Sequence, residues 1–535
     1  MHLDRLQNNH DRILYTTAYQ HHSAGTMFHN IAYSLCLVAL CSVAYWVQLK
    51  RLSRTLPPGP LGLPIIGNIH QLRGRYPWKQ FQKWHRIYGP IFTIQIGQMK
   101  MIILGSHAVA NDILTKRSVT YSSRPRLIVA QESFAKGFGA AVLPYGPKWK
   151  QNHGMQISLL NPRRSQLYCP LQELESGQLL YNLLSADHYE KEFHRYSASL
   201  IFALLYGKRF PTCGAEELQQ IELLAEQIVK AVSFGNWIVD IFPVLNWMPR
   251  CFAKWKQLGD DFHQRQSHLY AANSSMATKS STWNWTRHTF TTQGMNISRK
   301  DIDFALGELF EAGSHTTTGA IIVAMLACIS YPDSMHKVRA EIDQNTTGGR
   351  IPSIEDVEAL PFLQAFVKEV LRWKPLAPGG VPHSALNDDT YNGFHIPKGA
   401  AVVANHWSLD MDDAVFDDPE IFRPERWIEH DKLPLAAFGF GRRTCPGRHV
   451  AYNSILLVLA RIIWAYDITC DESQRNKLEH LDMTHEGIFS KPGVFQMKIS
   501  VRSQEHREMI EAAQRDSSGQ FERIMTAIGE KFDRL

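Results

Sequence analysis

A single cysteine, Cys445, sits in the run FGFGRRTCPGRHVAYN at residues 438–453, and no other cysteine lies within twenty residues on either side. Between Lys432 and Tyr466 there is no Asp or Glu, whereas Arg442, Arg443, Arg448 and Arg461 are basic. A thiol with an ordinary pKa of about 8.5 persists as thiolate near neutral pH only in positive surroundings. Gly439, Gly441 and Gly447 strip side chains from the loop, so a flat ligand can lie against it and backbone N–H groups can turn toward sulfur. Pro446 suits the first turn of a following helix, GRHVAYNSILLVLARIIW, whose leading amides would face the sulfur. The lack of acids suits a ligand that brings its own carboxylates. Heme, with two propionates and an iron that takes an axial thiolate, meets these conditions. The competing fate of a lone cysteine on a glycine turn is burial as a small apolar residue.

The spacing decides between them. Phe438, Gly441, Arg443, Cys445 and Gly447 spell F-x-x-G-x-R-x-C-x-G, which resembles the heme loop of the cytochrome P-450 family. The resemblance implies heme b with Cys445 as proximal ligand to the iron and Arg443 on a propionate. Further segments match from the proline linker to about Arg502. KEVLRW is similar to the family's E-x-x-R helix, with Glu369 and Arg372 on one helical face and Arg426 of FRPERW completing a buried network. GGVPHSALNDD resembles the segment in which a histidine, here His383, meets a propionate, and YGPKWKQNH the helix whose Trp149 does likewise. Four residues after that Trp the family usually has Arg; here His153 stands there, with one hydrogen bond to donate and less charge. AGSHTT resembles the oxygen-activating bend, with Thr316 in its usual place and His315 where an acid normally precedes it. Histidine titrates near neutrality and can relay protons there; packing is its alternative fate.

These residues need elements to position them. DIDFALGELFEAGSHTTTGAIIVAMLACISY, residues 301–331, is apolar on most faces and reads as a long core helix ended by Pro332. PIFTIQIGQMKMIILG, residues 90–105, alternates as two strands turning near Gly97, and short strands are expected near 391–404 and 488–501. Residues 271–298 include 14 Ser, Thr or Asn and read as a surface loop. The fold class expected is mainly α with small β-sheets (α+β), the cytochrome P-450 fold, preceded by one transmembrane helix.

Composition bounds the rest. The chain has 535 residues, 44% hydrophobic, with a net charge of +6, enough for a large core and far from a nucleic-acid binder. Eight cysteines without a C-x-x-C pair argue against zinc ribbons, iron–sulfur clusters and a disulfide framework. Residues 31–49 carry no formal charge and span about 28 Å as a helix, near the ~30 Å of a bilayer core. Lys50, Arg51 and Arg54 follow at once, which places the body on the cytosolic side. The expected organisation is a polar, dispensable tail (1–26), a membrane anchor (27–50), a proline-rich linker (51–64), a catalytic domain (65–502) and an amphipathic C-terminal tail (503–535).

The resemblance implies a monooxygenase on the endoplasmic reticulum membrane, acting on a lipophilic substrate in the style of filamentous-fungal enzymes of secondary metabolism. The sequence has no G-x-G-x-x-G or Walker loop, so electrons must come from a partner, the NADPH–cytochrome reductase. The core helix, residues 138–142 and residues 487–495 are expected to wall an apolar pocket. Two alternatives stay open: a reductase-independent heme-thiolate isomerase or dehydratase, and a membrane heme binder without turnover.

Overall fold

A computed structural model describes residues 55–535 except 73–75, 187, 216–217, 221–222, 225–226, 229–230, 232–235, 293–296, 347–349, 487 and 518; before residue 55 it describes only 33, 36, 37 and 40. The polar segment 1–26 and nearly all of the expected anchor at 27–50 lie outside the described residues. In chain order, the helices that bear on the site are α1 (Pro77–Tyr88), α2 (Pro147–Leu160), α3 (Cys169–Leu183), α4 (Tyr189–Tyr206), α5 (Lys254–Lys279), α6 (Trp285–Thr292), α7 (Arg299–Ser330), α8 (Pro361–Trp373), α9 (Arg448–Ala465), α10 (Gln504–Asp516) and α11 (Gln520–Phe532).

The apolar run at 301–331 is α7. Ser298 caps it by accepting from the Asp301 amide, and Tyr331 leaves helical geometry just before Pro332. At ~1.5 Å per residue α7 spans about 48 Å, and most of it is buried against α4, α5 and α9 in the main core. Gly313 lets α4 approach closely, because a Cβ there would sit 2.9 Å from Ile201. Among the described residues α7 is also the helix long and apolar enough to cross a bilayer, but its burial makes it a core helix.

Mainly helical architecture with small sheets is what the sequence pattern anticipates. Strands β1 (Ile91–Ile96) and β2 (Met99–Leu104) pair antiparallel through Gly97, whose φ of 56° lies in the left-handed region that favours glycine. With β3 (His383–Ser384) and β6 (Ala401–Ala404) they make a sheet ordered β1-β2-β6-β3, parallel between β2 and β6. Hairpins β4 (Asp389–Tyr391) with β5 (Phe394–Ile396) and β8 (Met483–Glu486) with β9 (Phe489–Pro492), and the pair β7 (Tyr466–Thr469) with β10 (Lys498–Val501), complete the strands.

The stretch at 271–298 is not a surface loop. It holds the end of α5 and all of α6, with Asn284 and Trp285 fully buried. Asn284 donates to the carbonyls of Ala277 and Thr282 and accepts from the Arg287 amide, so its side chain caps both helices. Trp285 packs on Tyr168 and donates to its hydroxyl at 3.0 Å. Polar composition here serves capping and tertiary hydrogen bonds, which a solvent-exposure argument misreads.

Glu369, Arg372 and Arg426 meet in a fully buried network. Glu369 accepts from Arg372 Nη2 (2.7 Å) and Nε (2.9 Å), Arg426 Nε (3.1 Å), Trp427 Nε1 (2.8 Å) and the Arg423 amide (2.9 Å). Further arginine donors end on the carbonyls of Asp410, Pro419 and Asp417. Burial opposes the Glu369 charge, yet Arg372 and Arg426 outweigh it and hold the carboxyl below its ordinary range. Glu369→Gln would leave two buried guanidinium groups without their anion, and should cost about 3–5 kcal/mol, read by thermal unfolding. Because the folded carboxyl titrates low, its stabilisation is fully present above about pH 4 and fades below it; the gap between wild type and variant should therefore close only in acid.

The C-terminal stretch packs on the body as α10 and α11, joined at the left-handed Gly519. Ile510, Met525, Ile528 and Phe532 are all buried in the main core. The Phe532 ring lies 5.0 Å from Trp283 and 4.7 Å from His288, with the Arg164 guanidinium 3.8 Å over its face. Phe532→Ala should cost about 3–5 kcal/mol in denaturant unfolding; a change within ~0.5 kcal/mol would mean that α11 is not part of the core.

Candidate active site

The Cys445 loop is built by its glycines. Gly439 and Gly441 hold φ of 72° and 56°, and a Cβ on Gly441 would lie 2.0 Å from the Leu114 carbonyl oxygen. The Cys445 amide donates to the Phe438 carbonyl at 2.9 Å and folds the loop back on itself. Phe438 itself packs against the main core. Helix α9 begins at Arg448 with Gly447 as its cap residue, so Pro446 precedes the first turn instead of occupying it. From Ala437 to His449 every residue keeps some accessible surface, although Val450 onward is core.

Arginines in this loop do not all serve the sulfur. Burial pushes the Cys445 thiol up, and the Gly447 N–H and the charge of Arg448 only partly offset it. Arg442 instead donates to the Tyr145 hydroxyl and Arg443 turns toward α2. The expectation that the basic loop by itself holds a thiolate is thus corrected: the positive charge must come with a ligand, and a metal-bound thiol is deprotonated outright.

Arg443 forms a second cluster with three other expected residues and one unexpected one. It donates to the carbonyls of Ser122 (2.7 Å), Ala140 (3.0 Å) and Leu143 (2.7 Å), and its guanidinium lies 4.4 Å over the Trp149 ring. His153 stacks on Trp149 at 4.5 Å between centroids. Burial and the neighbouring Arg443 lower its pKa, so it brings no charge to replace the family's arginine. His383 binds the Tyr121 carbonyl at 2.8 Å, and burial followed by Arg124 and Arg443 takes it down to about 3. Arg124 is the residue that sequence reasoning missed. It donates to the carbonyls of Ala141 (2.9 Å), Pro382 (2.7 Å) and Val381 (3.3 Å).

The charge balance of this cluster is unfavourable as it stands. Burial lowers Arg443 to about 9 and Arg124 to about 10, and Arg124 lowers Arg443 further. Among the described residues neither arginine has a carboxylate within ion-pair distance. The Trp149 indole N–H has no acceptor among them either. This donor set fits a flat ligand that carries two carboxylates, and the open glycine loop fits its face.

Above it, α7 turns one face to a cavity of about 200 Å³. Phe304, Glu308, Glu311, Ala312 and His315 line it, at spacings that place them on one helical face. Phe138, Val142, Ile488 and Phe489 add apolar walls, so both loop segments expected to form a pocket do so. Thr316 donates to the Ala312 carbonyl at 2.8 Å, one turn back, as a mid-helix threonine does where a helix bends. His315 faces the His194 ring at 4.9 Å. Glu308 accepts from the Ala140 and Ala141 amides, both at 2.6 Å, and so ties the loop that carries Arg443's acceptors to α7. The sequence signal for Glu308 and Glu311 was two acids three residues apart inside an apolar run.

Comparison with known proteins agrees with this geometry. The family model described as Cytochrome P450 matches residues 57–499. The chain is 43% identical to "Cytochrome P450 monooxygenase aneD" of Aspergillus aculeatus, over 88% of this chain and 93% of that protein. It is 37% identical to "Cytochrome P450 monooxygenase astF" of Aspergillus oryzae, over 91% and 93%, and 36% identical to "Cytochrome P450 monooxygenase FrzL" of a Cladobotryum species, over 95% and 99%. With a thiol on a glycine loop, paired half-buried arginines and an apolar cavity beside a long core helix, the chain belongs to the cytochrome P450 family of monooxygenases.

Proposed function

We propose that this enzyme inserts one oxygen atom from O2 into a lipophilic small molecule, a secondary metabolite, using heme b held by Cys445. Members of the family carry heme with a cysteine-ligated iron and draw on a redox partner. The observation that carries the assignment of these residues is the half-buried Arg124–Arg443 pair, with no carboxylate in ion-pair distance among the described residues, beside the glycine loop that carries Cys445. Arg124 and Arg443 would hold the two propionates, with Trp149 N–H, His383 and His153 as further polar contacts. Phe438 shields the loop, and the Gly447 N–H steadies the sulfur. Bound there, heme supplies oxygen activation, its thiolate pushing electron density toward oxygen to favour O–O cleavage.

The remaining work falls to α7 and the cavity. Apolar walls exclude water and hold an apolar skeleton. The Thr316 hydroxyl holds a proton at Oγ1 beside the reacting centre. His315 moves protons to it from the side of His194. The reading extends to an N-terminal anchor at 27–50 in the endoplasmic reticulum membrane, a cytosolic catalytic domain, and electrons from the NADPH–cytochrome reductase. Its support is the uncharged run at 31–49, the basic residues after it, and the exposed Leu61, Leu63 and Ile65 at the end of the linker.

The reduced carbon monoxide difference spectrum tests this reading in microsomes. Wild type should give the thiolate signature in the membrane pellet, Cys445→Ser should lose it, and Arg124→Gln should lower heme content per protein. Removal of residues 27–50 should shift the signal to the soluble fraction. An unchanged thiolate spectrum in Cys445→Ser would refute the ligand assignment.

Coupling tests the proton path. His315→Ala should release more peroxide and less product per NADPH consumed, His315→Asp should keep much of the coupling, and Thr316→Ala should uncouple at least as badly. Unchanged coupling in His315→Ala would leave that residue to packing alone.

A further inference from the structure

Within the apolar cavity, Glu311 stands in a polar niche that oxygen activation does not require. Gln266 Nε2 and the Tyr270 hydroxyl, one turn apart on α5, both donate to Glu311 Oε1, the first at 3.0 Å, and Gln266 also donates to the Tyr270 hydroxyl at 3.0 Å. Both donors are buried. Gly307 makes room for this arrangement: a Cβ there would lie 2.5 Å from the Tyr270 ring. Oε2 accepts no hydrogen bond among the described residues, and no cation lies within ion-pair distance of the carboxylate among them. Glu308, one turn earlier, differs. It already holds two backbone amides and Gln156 Nε2.

A carboxylate in apolar surroundings is costly unless its lone pairs are met, and each unmet one favours a partner that donates. Burial pushes Glu311 up to about 7, with Glu308 adding repulsion after the hydrogen bonds of Tyr270 and Gln266 oppose it. The other titratable groups that line the cavity are Arg124, Glu308, Tyr270 and His315. A ligand that fills this cavity must therefore either strand Oε2 or satisfy it.

We infer that Glu311, positioned by Tyr270 and Gln266, is a specificity-determining residue that binds a hydrogen-bond donor, a hydroxyl or a protonated amine, on an otherwise apolar substrate. This rests on the cavity being the substrate site. The donor would fix which carbon of the skeleton faces the reacting centre, because most of the remaining wall is apolar and makes non-directional contact, and Glu308 is already engaged by two backbone amides.

Three rigid probes test it on the holoenzyme: 1-adamantanol, 1-(dimethylamino)adamantane and 1-methyladamantane, with dissociation constants from equilibrium dialysis. Glu311→Leu should weaken 1-adamantanol or the amine at least about tenfold relative to 1-methyladamantane. Glu311→Gln keeps an acceptor and removes the charge, so it should spare the alcohol and weaken the amine. Retention of 1-methyladamantane binding and of the carbon monoxide spectrum shows that each variant is folded. If the relative affinities do not move in Glu311→Leu, the inference fails alone. If none of the probes binds wild type, the cavity is not the substrate site and both readings fall.

Discussion

Helix α7 has to satisfy two opposed demands. Over most of its length it packs α4, α5 and α9 around itself, and that burial stabilises the domain. Over two turns near its middle it must withdraw from the core and leave open space. Glu308, Glu311, Ala312 and His315 keep accessible surface there, while Ser314, Thr317 and Thr318, on the other side of the same turns, are buried. A close-packed interior does not leave such a gap without cause, since voids forfeit dispersion contacts. The gap persists because the surrounding frame is rigid. Gly313 locks α7 on α4, Thr316 and Thr318 bond back to carbonyls of the preceding turn, and Glu308 pins the 138–142 loop at the cavity edge.

Two sets of arginines show how the chain separates structure from chemistry. Arg372 and Arg426 share Glu369 and send further donors to backbone carbonyls, so their charge is met within the protein. Arg124 and Arg443 also bond carbonyls, yet no carboxylate lies within ion-pair distance of either among the described residues, and burial pulls both below the ordinary arginine range against the more distant Glu308. The first arrangement belongs to a finished frame. The second leaves two guanidinium groups near each other with their charges repelling.

Local signals in the sequence were read well where chemistry and structure depend on neighbours in the chain. The glycine and cysteine spacing of the 438–447 loop, the alternation of β1 and β2, and the apolar length of α7 are of this kind. Readings failed where a tertiary partner decides. Asn284 and Trp285 sit in a Ser/Thr/Asn-rich stretch whose hydrogen bonds point inward to α5 and Tyr168, which composition alone cannot reveal. Arg124 lies in an ordinary loop sequence and gains meaning only because the chain brings Val381 and Arg443 beside it. His153 marks a departure from the family pattern that the sequence does show; that Arg124 comes close enough to act on Arg443 is visible only in three dimensions.

Glu308 and Glu311 carry this point to the cavity itself. They are the same residue type, three positions apart on one face of one helix, and both are removed from bulk water. Glu308 is met by two amides and a glutamine, and becomes a fastener. Glu311 receives its donors on one oxygen, from a helix that reaches it only because Gly307 yields space, and keeps the other oxygen for the cavity. The difference lies in what the loop at 138–142 and helix α5 deliver to each carboxylate. Selectivity in an apolar pocket depends on such leftovers: a wall of Phe and Val side chains measures size, whereas one unmet acceptor measures orientation.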